Sequence, residues 1–330
     1  MTTLLAGDIG GTKTLLALYR CEGAELQLLV SERFSSADWP DLAQMVNTFL
    51  LSCGQGQLPA AACLAVAGPV RDGRAKLTNL PWLLETAELA TATGIPRLEL
   101  VNDFAVLIYG LPHLQPQQQA RIRPGTAEAD GPLLVLGAGT GLGVALGLPT
   151  AQGLVAMASE AAHGTFAPRT QAEWELRGWI QQTLELERVS IERVVSGTGL
   201  GHVARWLLET RHPSGDHPLQ RQPPDDLPAA VAGAAATGDA LAAEALDLWL
   251  GAYGSVCGDL ALAALSRGGI WLAGGTAGKL LDDLRSPAFL DPFLAKGRLT
   301  PVLETMPITA ICDAAIGQYS AACRARMLLA

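Results

Sequence analysis

Two apolar runs, residues 4–6 and 15–19, flank a polar, glycine-containing stretch, Asp8-Ile9-Gly10-Gly11-Thr12-Lys13-Thr14. Apolar runs broken in this way predict a strand, a tight turn and a second strand. The pattern returns over residues 133–148, where Leu-Leu-Val-Leu-Gly leads into Ala138-Gly139-Thr140-Gly141 and then Val144-Ala145-Leu146. The recurrence predicts two related lobes, each opening with a hairpin. Between the hairpins, residues 41–51 have helical periodicity, and residues 63–66 and 98–101 read as buried strands. Strands alternating with helices indicate an α/β sheet.

Farther along, Asp239 reads as a helix cap, followed by Leu241, Ala245, Leu248 and Ala252 at helical spacing. Gly251, Gly254 and Gly258 share one face of that helix, where small residues let another element come close. Residues 270–278 read as strand, glycine turn and helix. Five prolines among polar residues mark 212–228 as an exposed loop with no assigned chemistry, read as a structureless insertion in preference to a mobile lid.

With 330 residues the chain exceeds one ordinary domain, which agrees with two lobes. Apolar residues make up 49% and charged residues 17%, a balance that excludes disorder. No apolar run reaches the roughly 18 residues a bilayer span requires, and no basic leader follows Met1. Cys21, Cys53, Cys63, Cys257, Cys312 and Cys323 form no CxxC pair, which fits reduced thiols in a cytoplasm. A formal charge of -9 without a basic run offers no footprint for nucleic acid. Phosphate must then be held locally, by backbone amides and metal.

The first hairpin tip suits that task. Asp8 ends a strand and is followed at once by Gly10, Gly11 and Thr12, so the turn can aim N–H groups at phosphate while Asp8 holds a hydrated Mg²⁺. An ordinary hairpin turn would look the same. The loop Gly137-Ala138-Gly139-Thr140-Gly141-Leu142-Gly143 fits no G-x-G-x-x-G register and is followed by a strand, which excludes a Rossmann site. Walker A fails too, because Gly278-Lys279 precedes Leu280. Two glycine loops on two hairpins suggest a clamp with one part from each lobe. Gly274 and Gly275 form a third bare stretch against which a flat base can pack.

Asp103 follows the strand 98–101 beside Asn102, at a strand end that opens toward ligand in an α/β sheet. One carboxylate that accepts the attacking hydroxyl's proton suffices as base in phosphoryl transfer. Asn79, Glu160, His163 and Glu192 supply the amides and carboxylates that bind vicinal hydroxyls of a sugar. Glu160-x-x-His163 and Glu209-x-x-His212 also have a metal-site spacing, but Pro213 and the nearby glycines rule out long inward-facing helices. His113, His202 and His217 read as structural or solvated.

Taken in order, DIGGT at Asp8, LTNLPW at Leu77, LVNDF at Leu100, GAGTGLG at Gly137, EAAHGTFAP at Glu160, IERVVSGTGL at Ile191 and LAGG at Leu272 resemble the bacterial glucokinases of the hexokinase and actin superfamily. The resemblance covers nearly the whole chain. It implies an α/β fold of two lobes with ribonuclease-H-like cores around an interlobe cleft, a small lobe of residues 1–113 plus 314–330 and a large lobe of 114–313. It implies ATP between Gly10 to Thr12, Gly139 with Thr140, and Gly274 with Gly275. Glucose would be held by Asn79, Asn102, Asp103, Glu160, His163 and Glu192, with Asp103 taking the proton of the 6-hydroxyl. Mg²⁺ accompanies ATP, with Asp8 reaching it through water, and a cytoplasmic homodimer is the family expectation. No structural zinc is expected, since the cysteine-rich motif of the neighbouring repressor-kinase group is missing. Lys13, the pair Ala161-Ala162 and Thr198 depart from the residues common in relatives, at loops that set selectivity. A kinase for another hexose or phosphoryl donor, or a non-catalytic sugar sensor, would share much of this pattern; no helix-turn-helix precedes the first strand.

Overall fold

The runs flanking the first glycine turn pair antiparallel as β1 (Thr2–Ile9) and β2 (Lys13–Glu22), and β3 (Glu25–Ser35) continues the meander. This is a computed structural model that describes residues 2–23, 25–53, 58–77 and 80–329. β3 is an edge strand, and its polar composition leaves it mostly exposed. On the other side of β1, β4 (Ala61–Val66) runs parallel to it. A small antiparallel sheet of β5 (Val70–Arg71), β6 (Arg74–Lys76) and β7 (Leu83–Glu85) intervenes before β8 (Leu98–Asn102) joins β4 in parallel. Every residue of β4 is buried, as its unbroken run Ala-Ala-Cys-Leu-Ala-Val requires of a strand covered on both faces. α1 (Leu42–Cys53) turns Leu42, Met45, Val46, Phe49 and Leu50 into this core, the spacing of one helical face. α2 (Thr86–Thr93) leads into β8, and the short α3 (Leu107–Gly110) follows it.

A second sheet is built from β9 (Gln119–Arg123), β10 (Leu133–Ala138), β11 (Leu142–Thr150), β12 (Gly153–Ser159), β13 (Gly269–Ala273) and β14 (Ile308–Ile311). Its order is β12-β11-β10-β13-β14-β9, against β3-β2-β1-β4-β8 in the first. β10 pairs antiparallel with β11 and parallel with β13, and β13 pairs parallel with β14. The repeated hairpin thus heads a repeated sheet, each an α/β core whose first five strands follow the same order.

The helices around it are α4 (Gln171–Thr183), α5 (Gly197–Arg211), α6 (Leu227–Ala236) and α7 (Ala240–Ala264). The shorter α8 (Gly275–Lys279), α9 (Leu281–Leu284), α10 (Pro287–Leu294) and α11 (Thr300–Glu304) follow. α7 runs through the core, with Trp249 and Tyr253 buried, and Asp239 caps it by accepting from the Ala242 N–H at 2.8 Å. Its glycine face meets α10 as expected: a Cβ on Gly254 would stand 2.0 Å from the Phe289 carbonyl oxygen. α12 (Ile316–Met327) closes the chain against β1, β4 and α3.

Residues 212–228 are largely exposed, as expected of a loop, but the segment is not structureless. Pro218–Arg221 forms a 3₁₀ turn whose N-cap is His217, with its Nδ1 accepting from the Leu219 N–H and the Gln220 side chain reaching back to the His217 N–H. His217 also pairs with Asp239, and Leu219 and Leu227 are buried in the core. Prolines here set turns and start α6; they do not disorder the segment.

The chain divides into two units: Met1–Gln115 with Thr150–Ala158 and Asp313–Ala330, and Pro116–Pro149 with Ser159–Cys312.

Candidate active site

In the first unit the parallel strands β1, β4 and β8 end together, and their ends carry the expected residues. Asp8 pairs in register with Ala65 of β4, Val66 of β4 pairs with Asn102, and the Asp103 N–H donates to the Val66 carbonyl at 2.9 Å. Asn102 shapes the turn that follows. Its Oδ1 accepts from the N–H groups of Phe104 and Ala105 at 3.1 and 2.9 Å, while Nδ2 donates to the Gly68 carbonyl at 3.1 Å and to Asp103 Oδ1 at 2.9 Å. All of its amide capacity on the nitrogen side is therefore engaged in holding the backbone and Asp103.

Two carboxylates meet at this end of the sheet. Burial, and then the negative charge of Asp8, push the Asp103 carboxyl up to about 6, against the bond from Asn102 that lowers it. Asp8 is open to solvent on one side, yet the protein around it still raises its carboxyl by desolvation. No hydrogen bond or ion pair to another described residue engages the Asp8 side chain, and its Oδ2 lies by the first turn of α12, 3.8 Å from where a Cβ on Gly317 would stand. A divalent cation would relieve both acids at once, and the donor set is of the hard oxygen kind that Mg²⁺ takes. The turn Gly10-Gly11-Thr12 sits directly after Asp8, closed by the Gly10 N–H on the Lys13 carbonyl at 3.0 Å.

The second unit brings together the other expected groups around the end of β10. The Glu192 carboxylate accepts from the Leu142 N–H at 3.0 Å and packs so close to Gly141 that a Cβ there would lie 2.6 Å from its Oε2. Gly139 and Thr140 are tied to the start of α5: the Gly197 N–H donates to the Gly139 carbonyl at 2.7 Å and the Thr198 hydroxyl to the Thr140 carbonyl at 2.9 Å. Ser196 caps α5 through the Gly199 N–H at 2.9 Å. Gly274, at φ 86°, crosses beneath the Ala138 carbonyl, which also accepts the Thr276 hydroxyl at 2.6 Å. A Cβ on Gly139 or Gly275 would meet nothing within 4 Å, so no contact inside the protein calls for glycine there.

Glu160 and His163 lie on one 3₁₀ turn, their side chains exposed and 3.6 Å apart, an ion pair when the imidazole is protonated. That turn is joined to the one carrying Glu192 by the Ile191 N–H, which donates to the Gly164 carbonyl at 2.8 Å. Glu160, His163, Glu192, Gly139, Thr140, Gly274 and Gly275 thus share one connected region. Asn79 lies outside the described residues. Ser196, Thr198 and Thr276 also support the glycine loops; of these only Ser196, three residues before Gly199 at a helix start, has a capping signal readable in the sequence.

Comparison with known proteins places these observations in a family. Residues 5–328 match the family model described as Glucokinase. A glucokinase of a Nostoc species is 39% identical over 342 residues, covering 99% of this chain and 100% of the relative. One from Synechocystis is 39% identical, covering 96% of each. Among solved structures, the glucokinase of an Antarctic psychrotroph is 30% identical, with a TM-score of 0.85 over 99% of both chains.

Proposed function

The chain belongs to the glucokinase family, and from that premise we propose that it transfers the γ-phosphoryl group of ATP to the 6-hydroxyl of glucose, giving glucose 6-phosphate and ADP. The observation that carries the proposal is Asp103: a carboxyl raised to about 6, fixed by Asn102, at a strand end beside Asp8 and the Gly10 to Thr12 turn. A carboxylate with that value is ionised at neutral pH and basic enough to accept a hydroxyl proton. As the proton passes to Asp103, the sugar oxygen bonds to the γ-phosphorus, and the bond from that phosphorus to the β,γ-bridging oxygen breaks, leaving ADP. Charge spread over the phosphoryl oxygens is met by N–H groups of Gly11, Thr12, Thr140 and the Gly274–Gly275 turn, while those of Gly10 and Gly139 close their own loops on the Lys13 and Gly141 carbonyls. Asp8 would hold Mg²⁺ through water, and the ion, when bound, neutralises phosphate charge.

Glucose hydroxyls fall to Asn102, Glu160, His163, Glu192 and Asn79. Glu192 has one oxygen on the Leu142 N–H and so links the sugar to the second glycine loop. Asn102 is already engaged on both sides of its amide, so it acts on glucose chiefly by aiming Asp103. Water must be kept from the phosphoryl group, or ATP is hydrolysed to no purpose. Among the described residues no helix is long and apolar enough to cross a membrane. A cytoplasmic homodimer without structural zinc completes the proposal, on the family likeness alone.

The test is a panel of hexoses with ATP and Mg²⁺, coupled to ADP release, with the phosphorylated position read by NMR. Glucose 6-phosphate as the main product is expected. Turnover confined to another sugar, or glucose binding without ADP, would replace this reading with that of a different kinase or a sensor.

A further inference from the structure

Thr14 and Ser36 are fully buried, and their hydroxyl oxygens lie 3.0 Å apart. Ser36 holds the first glycine turn at two points: its Oγ donates to the Gly10 carbonyl at 2.9 Å, and its backbone N–H donates to the Thr12 carbonyl at 3.0 Å. A serine hydroxyl has one proton to give. Since that proton goes to Gly10, the Thr14 hydroxyl must be the donor to Ser36, so the bonds run in one direction from Thr14 through Ser36 to the Gly10 carbonyl. Bonds in series polarise one another.

The consequence reaches the far side of the turn. The peptide unit joining Gly10 to Gly11 is planar and trans, with its N–H opposed to its carbonyl. Fixing the Gly10 carbonyl on Ser36 therefore fixes the Gly11 N–H to point away from Ser36. Alanine and valine would fill the two buried places without the desolvation cost of a hydroxyl. What the hydroxyls add is the hold on this carbonyl.

We propose that Ser36, backed by Thr14, is a positioning residue that presets the amide of the nucleotide-binding turn and so sets the affinity for MgATP. This rests on reading Gly10 to Thr12 as that turn. Ser36 touches no substrate; it acts through Gly10 and Thr12.

The variants are Ser36→Ala, Ser36→Cys, which keeps the volume with a weak donor, and Thr14→Val, which keeps the shape without the hydroxyl. MgATP binding is measured by titration calorimetry, and the ATP and glucose KM by steady-state kinetics. Losing one neutral bond should raise the MgATP Kd and the ATP KM by about 3- to 10-fold in both Ser36 variants, and less in Thr14→Val. The glucose KM should stay within about twofold, a split that general loosening would not produce. Thr14→Ser, which restores the donor, should return to the wild-type Kd. Unchanged MgATP affinity in the Ser36 variants, or ATP and glucose constants rising together, overturns the proposal. If Ser36→Ala does not fold, Ser36→Cys and Thr14→Val decide it. Failure of the wild type to phosphorylate glucose would sink the functional reading instead, while the calorimetry still judges Ser36.

Discussion

A carboxylate that must take a proton near neutral pH has to be less acidic than an ordinary aspartate, and Asp103 is made so by burial and by Asp8. The sign is definite. Below about 6 the group is protonated and cannot act as base, so kcat/KM should fall as pH drops through that value. For stability the order is reversed: a carboxyl raised above its unfolded value favours the fold at low pH, and that contribution is lost as pH rises through about 6. Asp103 in the ligand-free protein should titrate near 6 by ¹³C NMR, and its midpoint should fall in Asp8→Asn and on adding Mg²⁺. A midpoint unmoved by either change would mean that Asp8 and the cation do not act on Asp103. An Asn-Asp pair after an apolar strand is more often a plain turn, and Asp103 stood out in the sequence only through the company of the other motifs. Ser36 did not: it meets Gly10 only because β3 registers against β2, pairing Lys13 with Ser35, and no local pattern states that register.

Among the elements, the two hairpins and the strand-turn-helix at β13 and α8 were readable because apolar runs and glycines fix them locally. The glycine face of α7 was readable for the same reason, and it is now explained by the carbonyls of Phe289 and Phe293 lying against it. Gly254→Ala should cost about 1–3 kcal/mol by overpacking, seen as a lower Tm with little change in KM. A variant as stable as the wild type would mean that α10 does not lie on that face. The segment around Pro218–Arg221 was misread because its order comes from distance. His217 finds Asp239, and Leu219 finds the core, only once the chain has folded, whereas proline spacing alone looks like a loop.

At the scale of the molecule, one strand order occurs twice, and each copy carries part of the proposed chemistry at the ends of its parallel strands. The recurrence was visible as two similar hairpins. The long connections that bring β13 beside β10 and β14 beside β13 were not, since parallel neighbours can be far apart in sequence. Glu160, His163 and Glu192 were recognised as a set by residue type, while their junction through Gly164 and Leu142 needed the fold. If Asp103 is the base, the decisive comparison is the kcat of Asp103→Asn against its glucose Kd. The expected kcat is lower by about 10²- to 10⁴-fold with glucose affinity largely kept; a kcat near that of the wild type would remove Asp103 from the role of base.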